Sequence, residues 1–291
     1  MTAPMSRSRR VAFGATLTFT MAGPPLIVIA LSALGPLVVD DLDLTRAEFG
    51  SFAMVAFAVA AAFSAAGGRL VDRVGGRPAT MVVCGGACAS LLLVAAAPTY
   101  GLVLGAVALS GFLLALANPA TNLLVSTHVP PGRRGALVGL KQSGVQLSQV
   151  VGGALLPGLA VLAGWRVAAT VAAGLLAPTL LMSYFFVPGT SVRADAGPAR
   201  IRRRVPVDVW WMTGYSFLLG CALQATVVYL PLFGHEDLGL SVSAAGLTAA
   251  VMGAVGLVAR VAWGRLFERV RRPELLLAFL PVVATGAVGV L

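Results

Sequence analysis

Charge is what this sequence has least of. Of its 291 residues 11% are charged, 11 of them acidic and 21 basic, where a soluble globular domain carries about a quarter. The shortage is also local. No residue is charged from Val11 to Val39, Phe49 to Gly68, Pro78 to Thr127 or Gln142 to Trp165. The same holds for Val167 to Val192, Val209 to Gly234, Leu238 to Ala259 and Leu275 to Leu291. Buried helices of soluble proteins are shorter and divided by abundant charge, so a soluble fold is excluded. No carboxylate falls inside any of these runs. No nucleophile–base pair and no metal-ligand pattern appears, which argues against an enzyme. No phosphate-binding loop appears, so ATP-driven chemistry lacks support and no cofactor is implied. The three cysteines, Cys84, Cys88 and Cys221, all lie in apolar runs. They form no disulfide framework and read as packed structural thiols.

What is present is apolar and continuous. Hydrophobic residues make up 58% of the chain, and a bilayer core needs roughly 20 of them in one helix. Most runs meet that length once. Pro78–Thr127 meets it twice and carries Pro98, Thr99, Tyr100 and Gly101 at its middle, a turn between two spans. An open sheet would leave edge amides unpaired in lipid, and a barrel would show short alternating segments. The spacing predicts helices over 11–38, 47–66, 78–97, 100–122, 136–160, 165–187, 209–233, 244–263 and 275–291. The fold class is therefore an all-α polytopic membrane protein with about nine spans. Arg7, Arg9 and Arg10 precede the first run, which is too long for a cleaved leader and reads as a first span.

Basic residues orient the chain. With the N-terminus cytoplasmic, only Arg46 and Arg166 of the 21 basic residues fall outside. The inner loops hold the rest, including Arg69, Arg73, Arg77, Arg133, Arg134, Lys141 and Arg202–Arg204. Location in a bacterial inner membrane follows as the expectation. The net charge of +10 thus reflects topology. The basic loops have no aromatic platform beside them, so nucleic acid is not an expected partner, whereas anionic lipid headgroups are. The segment 188–208, rich in Gly, Pro, Ala and Arg, reads as a cytoplasmic linker. It separates a six-helix bundle, 1–187, from a partial second bundle, 209–291.

The two bundles repeat one another at an offset of 196 residues. Asp41, Leu42 and Leu44 match Asp237, Leu238 and Leu240, and Gly50 matches Gly246. In the same register "GRLVDR" at 68–73 faces "GRLFER" at 264–269. Both copies run in the same direction, as parallel repeats related by an axis along the membrane normal require. A full second half would end at about residue 386. The chain is therefore expected to be a fragment or truncated product lacking three spans.

The hexapeptide sits in "GGRLVDRVGGR", where Gly68, Asp72, Gly75 and Arg77 follow the spacing Gly-x-x-x-Asp-x-x-Gly-x-Arg. This resembles the signature between spans two and three of the major facilitator superfamily. Pro78 stands where a second basic residue is common there, and "WGRLFERVRR" is a degenerate second copy retaining Gly264, Glu268 and Arg269. "GWR" at Gly164–Arg166 and "SQVVGGALLPG" at 148–158 are similar to the family's outer loop and glycine-rich fifth span. The fourth span lacks the arginine found near its start in proton-coupled drug exporters. The passage 118–144 resembles the cyanate/nitrate-type porters of the same superfamily. The resemblance implies a 6+6 helix architecture and a secondary transporter working by alternating access.

Within that frame Gly68, Asp72, Arg73 and Arg77, with Glu268 and Arg269 of the second copy, are candidates for a cytoplasmic gate. The plainer alternative is that they stop and orient helices. Gly68 and Gly75 are expected to allow the chain reversal. Lys141, just inside a span, either snorkels to headgroups or offers positive charge to an anion. Gln142, Gln146 and Gln149 recur at helical spacing, and a lipid-facing row of amides would be costly, so this face should look inward. Asn118 and Asn122 form a similar pair, with Gln224 a weaker candidate from the second half. Interhelical hydrogen bonding and pathway lining both explain them. Pro24–Pro25 should bend or open the first span, and Trp210–Trp211 read as interfacial anchors. The expected partner is a small solute, organic or inorganic and anionic, with a coupling ion left open. The alternatives are an exporter of amphipathic compounds and a non-transporting membrane receptor or assembly protein.

Overall fold

Thr45 opens the second crossing with a reciprocal cap. Its hydroxyl accepts from the Glu48 amide at 3.2 Å, and the Glu48 carboxylate accepts from the Thr45 amide at 2.9 Å. From there α3 runs Arg46–Val74. The computed structural model describes residues 6–189 and 206–269, without the side chains of 131, 208 and 261–269. The other helices are α1 (Arg7–Ala33), α2 (Gly35–Leu42), α4 (Gly76–Ala96), α5 (Tyr100–His128) and α6 (Pro131–Gln142). They continue as α7 (Gly144–Ala163), α8 (Trp165–Phe186), α9 (Val207–Glu236) and α10 (Val242–Arg269). No strand occurs among the described residues. Eight helical segments are long and apolar enough to cross a membrane, α6 and α7 counting as one. The all-α polytopic fold is as expected. The ninth predicted span, 275–291, and most of the linker 188–208 lie outside the described residues.

Three expectations are corrected. The helix does not open at Pro24–Pro25. Instead α1 passes through both prolines, and the first crossing breaks at Leu34. The Pro24 carbonyl accepts from the buried Ser110 hydroxyl of α5 at 2.7 Å, so packing anchors this segment. The repeated hexapeptides are not loops. Nothing in "GRLVDR" interrupts a helix, so α3 continues to Val74, and α10 likewise reaches Arg269. Gly68 is consequently helical and does not make the reversal. Gly75 makes it, with φ 88°, a conformation costly for any residue with a Cβ.

The helical start points carry the repeat into three dimensions. Arg46 and Val242, the first residues of α3 and α10, stand 196 positions apart, as do the two hexapeptides those helices contain.

The most enclosed helix is α1, of whose apolar window 83% is buried against 22% for α3 and for α10. It packs on α4, α5, α7 and α8. Ile27, Leu31, Phe49, Phe52, Leu91 and Trp165 belong to the largest apolar cluster around it. Because lipid is as apolar as leucine, close packing of small residues does much of the joining. Gly144 of α7 lies on the Thr18 carbonyl of α1, where a Cβ would collide with main chain.

The end of the molecule where α2 meets α3 carries Asp40, Asp41, Asp43 and Glu48. Arg46 and Arg166, the two basic residues placed apart from the rest by topology, both find acids at this end. Arg166 pairs with Asp41 at 2.7 Å and lies over the Trp165 ring at 4.3 Å. Arg46 pairs with Glu236 of α9 at 2.7 Å.

Candidate solute site

Lys141 is the last residue but one of α6. Its side chain is directed at Asn118 and Thr121 of α5. The side chain is 0% exposed, so this ammonium does not snorkel to water. Its Nζ donates to Thr121 Oγ1 at 2.7 Å and to Asn118 Oδ1 at 3.3 Å. The Thr121 hydroxyl can accept because its own proton goes to the Ala117 carbonyl at 2.7 Å. Asn118 Oδ1 also accepts from Gln142 Nε2 at 3.0 Å. No carboxylate pairs with Lys141 among the described residues. Burying an ammonium costs several kcal/mol unless it is compensated, and neutral oxygens compensate only in part. The cluster is thus a buried ammonium held, among the described residues, by neutral oxygens.

Sequence-predicted residues divide around it. Asn118, Lys141 and Gln142 come together, joined by Thr121, which was not expected. Thr121 stands three residues after Asn118, the spacing that places both on one face of α5. Asn122 is exposed and outside the cluster. The three glutamines do not share one environment. Gln142 bonds to α5, whereas Gln146 and Gln149 pack against Gly256 and Gly253 of α10. Gln146 is buried, and its Oε1 has no partner among the described residues. Gln224 is half-buried on α9, with no side-chain hydrogen bond to the cluster.

The candidate gate is open to solvent. Asp72 and Arg73 are exposed at the end of α3 and form no ion pair among the described residues. Arg77, at the start of α4, donates to the Tyr184 carbonyl at 2.6 Å and lies 4.9 Å from the centre of the Tyr184 ring. It therefore ties α4 to α8 within the first bundle. Glu268 and Arg269 fall in the last turn of α10, and their side chains lie outside the described residues.

The opposite end is closed. The Ser32 hydroxyl of α1 lies 3.0 Å and 2.7 Å from the Val227 and Val228 carbonyls of α9. Tyr229 donates to the Arg46 carbonyl at 2.9 Å, and its ring meets Phe49 edge-on at 6.0 Å.

A closely packed helical bundle that repeats itself, with a polar cluster buried among its crossings, defines an all-α polytopic membrane protein. The family model described as Major Facilitator Superfamily matches residues 11–291, and the chain belongs to that family. Its fold is similar to a bacterial homolog of the human lysosomal transporter Spinster in an inward-facing and occupied conformation. That match has a TM-score of 0.70 and 17% identity, covering 92% of this chain and 63% of the other. The inward-facing and unoccupied conformation gives 0.65 and 18%, covering 92% and 64%. A D-xylose–proton symporter gives 0.60 and 17%, covering 87% and 67%. The chain thus spans less than two thirds of the length of the two Spinster-homolog structures. No curated protein matches it.

Proposed function

We propose that this chain is part of a secondary transporter that moves a small anion by alternating access, with Lys141 on the pathway. The observation that carries the reading is a fully buried lysine held, among the described residues, by neutral oxygens alone. A mobile anion would supply the missing charge, and an intramembrane ionisable group without a fixed partner is costly unless it serves such a role. The resemblance of 118–144 to cyanate/nitrate-type porters supports the same reading, since that segment holds Asn118, Thr121, Lys141 and Gln142. Residues 1–187 form the first half in this proposal and 209–291 part of the second, joined by the linker 188–208. The N-terminus is cytoplasmic, because that orientation puts nearly all basic residues inside.

The closed end is then the outer one, and Asp72, Arg73 and Arg77 lie at the inner one. An exposed Asp72, without an ion pair among the described residues, suits the released position of an inner gate. The inward-facing conformations named for the Spinster-homolog structures agree with this sidedness.

Uptake and counterflow in proteoliposomes, with the complete gene product and a panel of small anions, test the reading. Saturable flux lost in Lys141→Ala and kept in Lys141→Arg is the expected result. Saturable flux indifferent to Lys141→Ala would remove the lysine from the pathway. No flux of any anion by folded protein would shift weight to an exporter of amphipathic compounds.

A further inference from the structure

The ammonium of Lys141 fixes more than its own position. It can only donate, so the Asn118 atom it meets at 3.3 Å is the oxygen, Oδ1. Toward that oxygen Gln142 can turn only a donor, and its Nε2 lies there at 3.0 Å. The two ends of a side-chain amide are nearly alike in shape, and its neighbours decide which end points where. Here one lysine orients two amides in sequence. Asn118 is left with its Nδ2 donors, and Gln142 with its Oε1 acceptor, on the far sides of the bond that joins them. Neither atom has a hydrogen-bond partner among the described residues. Among those residues the buried side-chain atoms without a partner belong to Ser90, Gln146 and Trp165, so the spare Asn118 and Gln142 atoms are open to solvent.

Exposure divides the cluster. Lys141 and Thr121 are fully buried, whereas Asn118 and Gln142 are half-buried. Asn122, one turn further along α5, is exposed on the same side of that helix. A solute arriving at the cluster therefore meets the amides and not the ammonium. The amide pair also lies where the second repeat approaches, since the Gln142 main-chain carbonyl accepts from Arg260 of α10 at 3.1 Å. The positive charge is still felt from outside. A carboxamide whose oxygen accepts from an ammonium is polarised toward that oxygen, which strengthens its own N–H donors.

We propose that Asn118 and Gln142 are the solute-contacting pair of this site, while Lys141 is a positioning residue that acts through Asn118. Asn118 Nδ2 donates to the charged oxygen of the solute, and Gln142 Oε1 accepts from a hydroxyl beside that oxygen. The proposal rests on the reading of Lys141 as part of an anion site. The class it assigns is a small carboxylate with a hydroxyl next to its carboxyl group. Nitrate, a halide or a plain carboxylate offers acceptors alone and leaves the Gln142 oxygen unmet, and a site built to bond a hydroxyl discriminates against the analogue that lacks it.

The test is equilibrium binding of glycolate and acetate, which differ by one hydroxyl, to the purified complete gene product. Circular dichroism and size-exclusion first establish folding of each variant. The wild type should bind glycolate about tenfold more tightly than acetate. Gln142→Leu should erase that preference. Asn118→Asp keeps the shape, removes the donors and sets a carboxylate against Lys141, so the glycolate Kd should rise about tenfold or more. Lys141→Arg keeps a donor-only cation behind Asn118 and should retain the preference, which Lys141→Ala should lose together with affinity. Equal Kd for glycolate and acetate in the wild type overturns the assigned class, and a preference that survives Gln142→Leu overturns the Gln142 contact. Wild-type Kd in Asn118→Asp alongside weakened binding in Lys141→Ala overturns the role of Asn118 and leaves the lysine site standing. Wild-type Kd in Lys141→Ala, or no binding of either acid by folded wild type, overturns the anion reading beneath it.

Discussion

Ser32 donates its hydroxyl proton to main-chain oxygen of its own repeat counterpart: Oγ lies 2.7 Å from the carbonyl of Val228, 196 positions along the chain. Equivalent residues of two related units can touch only where the axis relating them passes. The contact therefore locates the pseudo-twofold axis at the closed end of the molecule, between α1 and α9.

Removing that hydroxyl should loosen the closed end. Ser32→Ala abolishes a buried hydrogen bond worth about 1 kcal/mol, which is about a fivefold change in a two-state population. Distances between spin labels on α2 and the C-terminal end of α9 should show a larger separated fraction. An unchanged distribution would mean that the hydroxyl does not hold this end shut.

The Arg46–Glu236 pair should matter less than its 2.7 Å length suggests. Its side chains are 69% and 31% exposed, and exposed pairs contribute about 0.2–1 kcal/mol. Glu236→Gln should shift the same distance distribution slightly, with the effect vanishing at high salt. A large, salt-insensitive shift would show that the pair is more than a surface contact.

Glycines on α7 and α10 should divide by position. A Cβ on Gly253 would approach the Gln149 Cβ to 2.7 Å and the Gln146 carbonyl to 2.9 Å. Gly253→Ala should therefore lower thermal stability by about 1–3 kcal/mol. Gly158 has nothing within 4 Å of such a Cβ, so Gly158→Ala should be neutral or gain up to about 1 kcal/mol from helix propensity. Melting curves in one detergent decide the matter, and equal effects at both positions would refute the close packing.

Thr121→Val preserves shape and removes the nearest acceptor of the Lys141 ammonium. It should cost about 1–3 kcal/mol by leaving a buried donor unmet. Thermal unfolding with and without a saturating anion separates two outcomes. Rescue by the anion fits a site short of negative charge, whereas no destabilisation at all would mean that the lysine finds other partners.

The crossings were legible in the sequence because lipid imposes one long apolar helix per span. The repeat was legible because "GRLVDR" and "GRLFER" are polar enough to stand out. Helix ends were less so. Charge in 69–73 reads as a loop, yet the helix runs through it and ends where Gly75 takes a positive φ. Pro24–Pro25 reads as a bend or an opening, yet α1 is continuous across it and Ser110 occupies the Pro24 carbonyl. In the site, Asn118, Lys141 and Gln142 were visible as polar residues in an apolar context. Thr121 was hidden because threonine usually serves its own helix, and here it does both.

Gly75 is at once the last cap of α3 and the first of α4, and Gly164 stands in the same way between α7 and α8 with the same φ of 88°. A joint of one residue has no slack. From α10 the chain of contact runs through α7 and the single residue Gly164 into α8, and from Tyr184 of α8 to Arg77 and α4, so four helices are joined in series with no loop between them longer than one residue on the α7–α8 side.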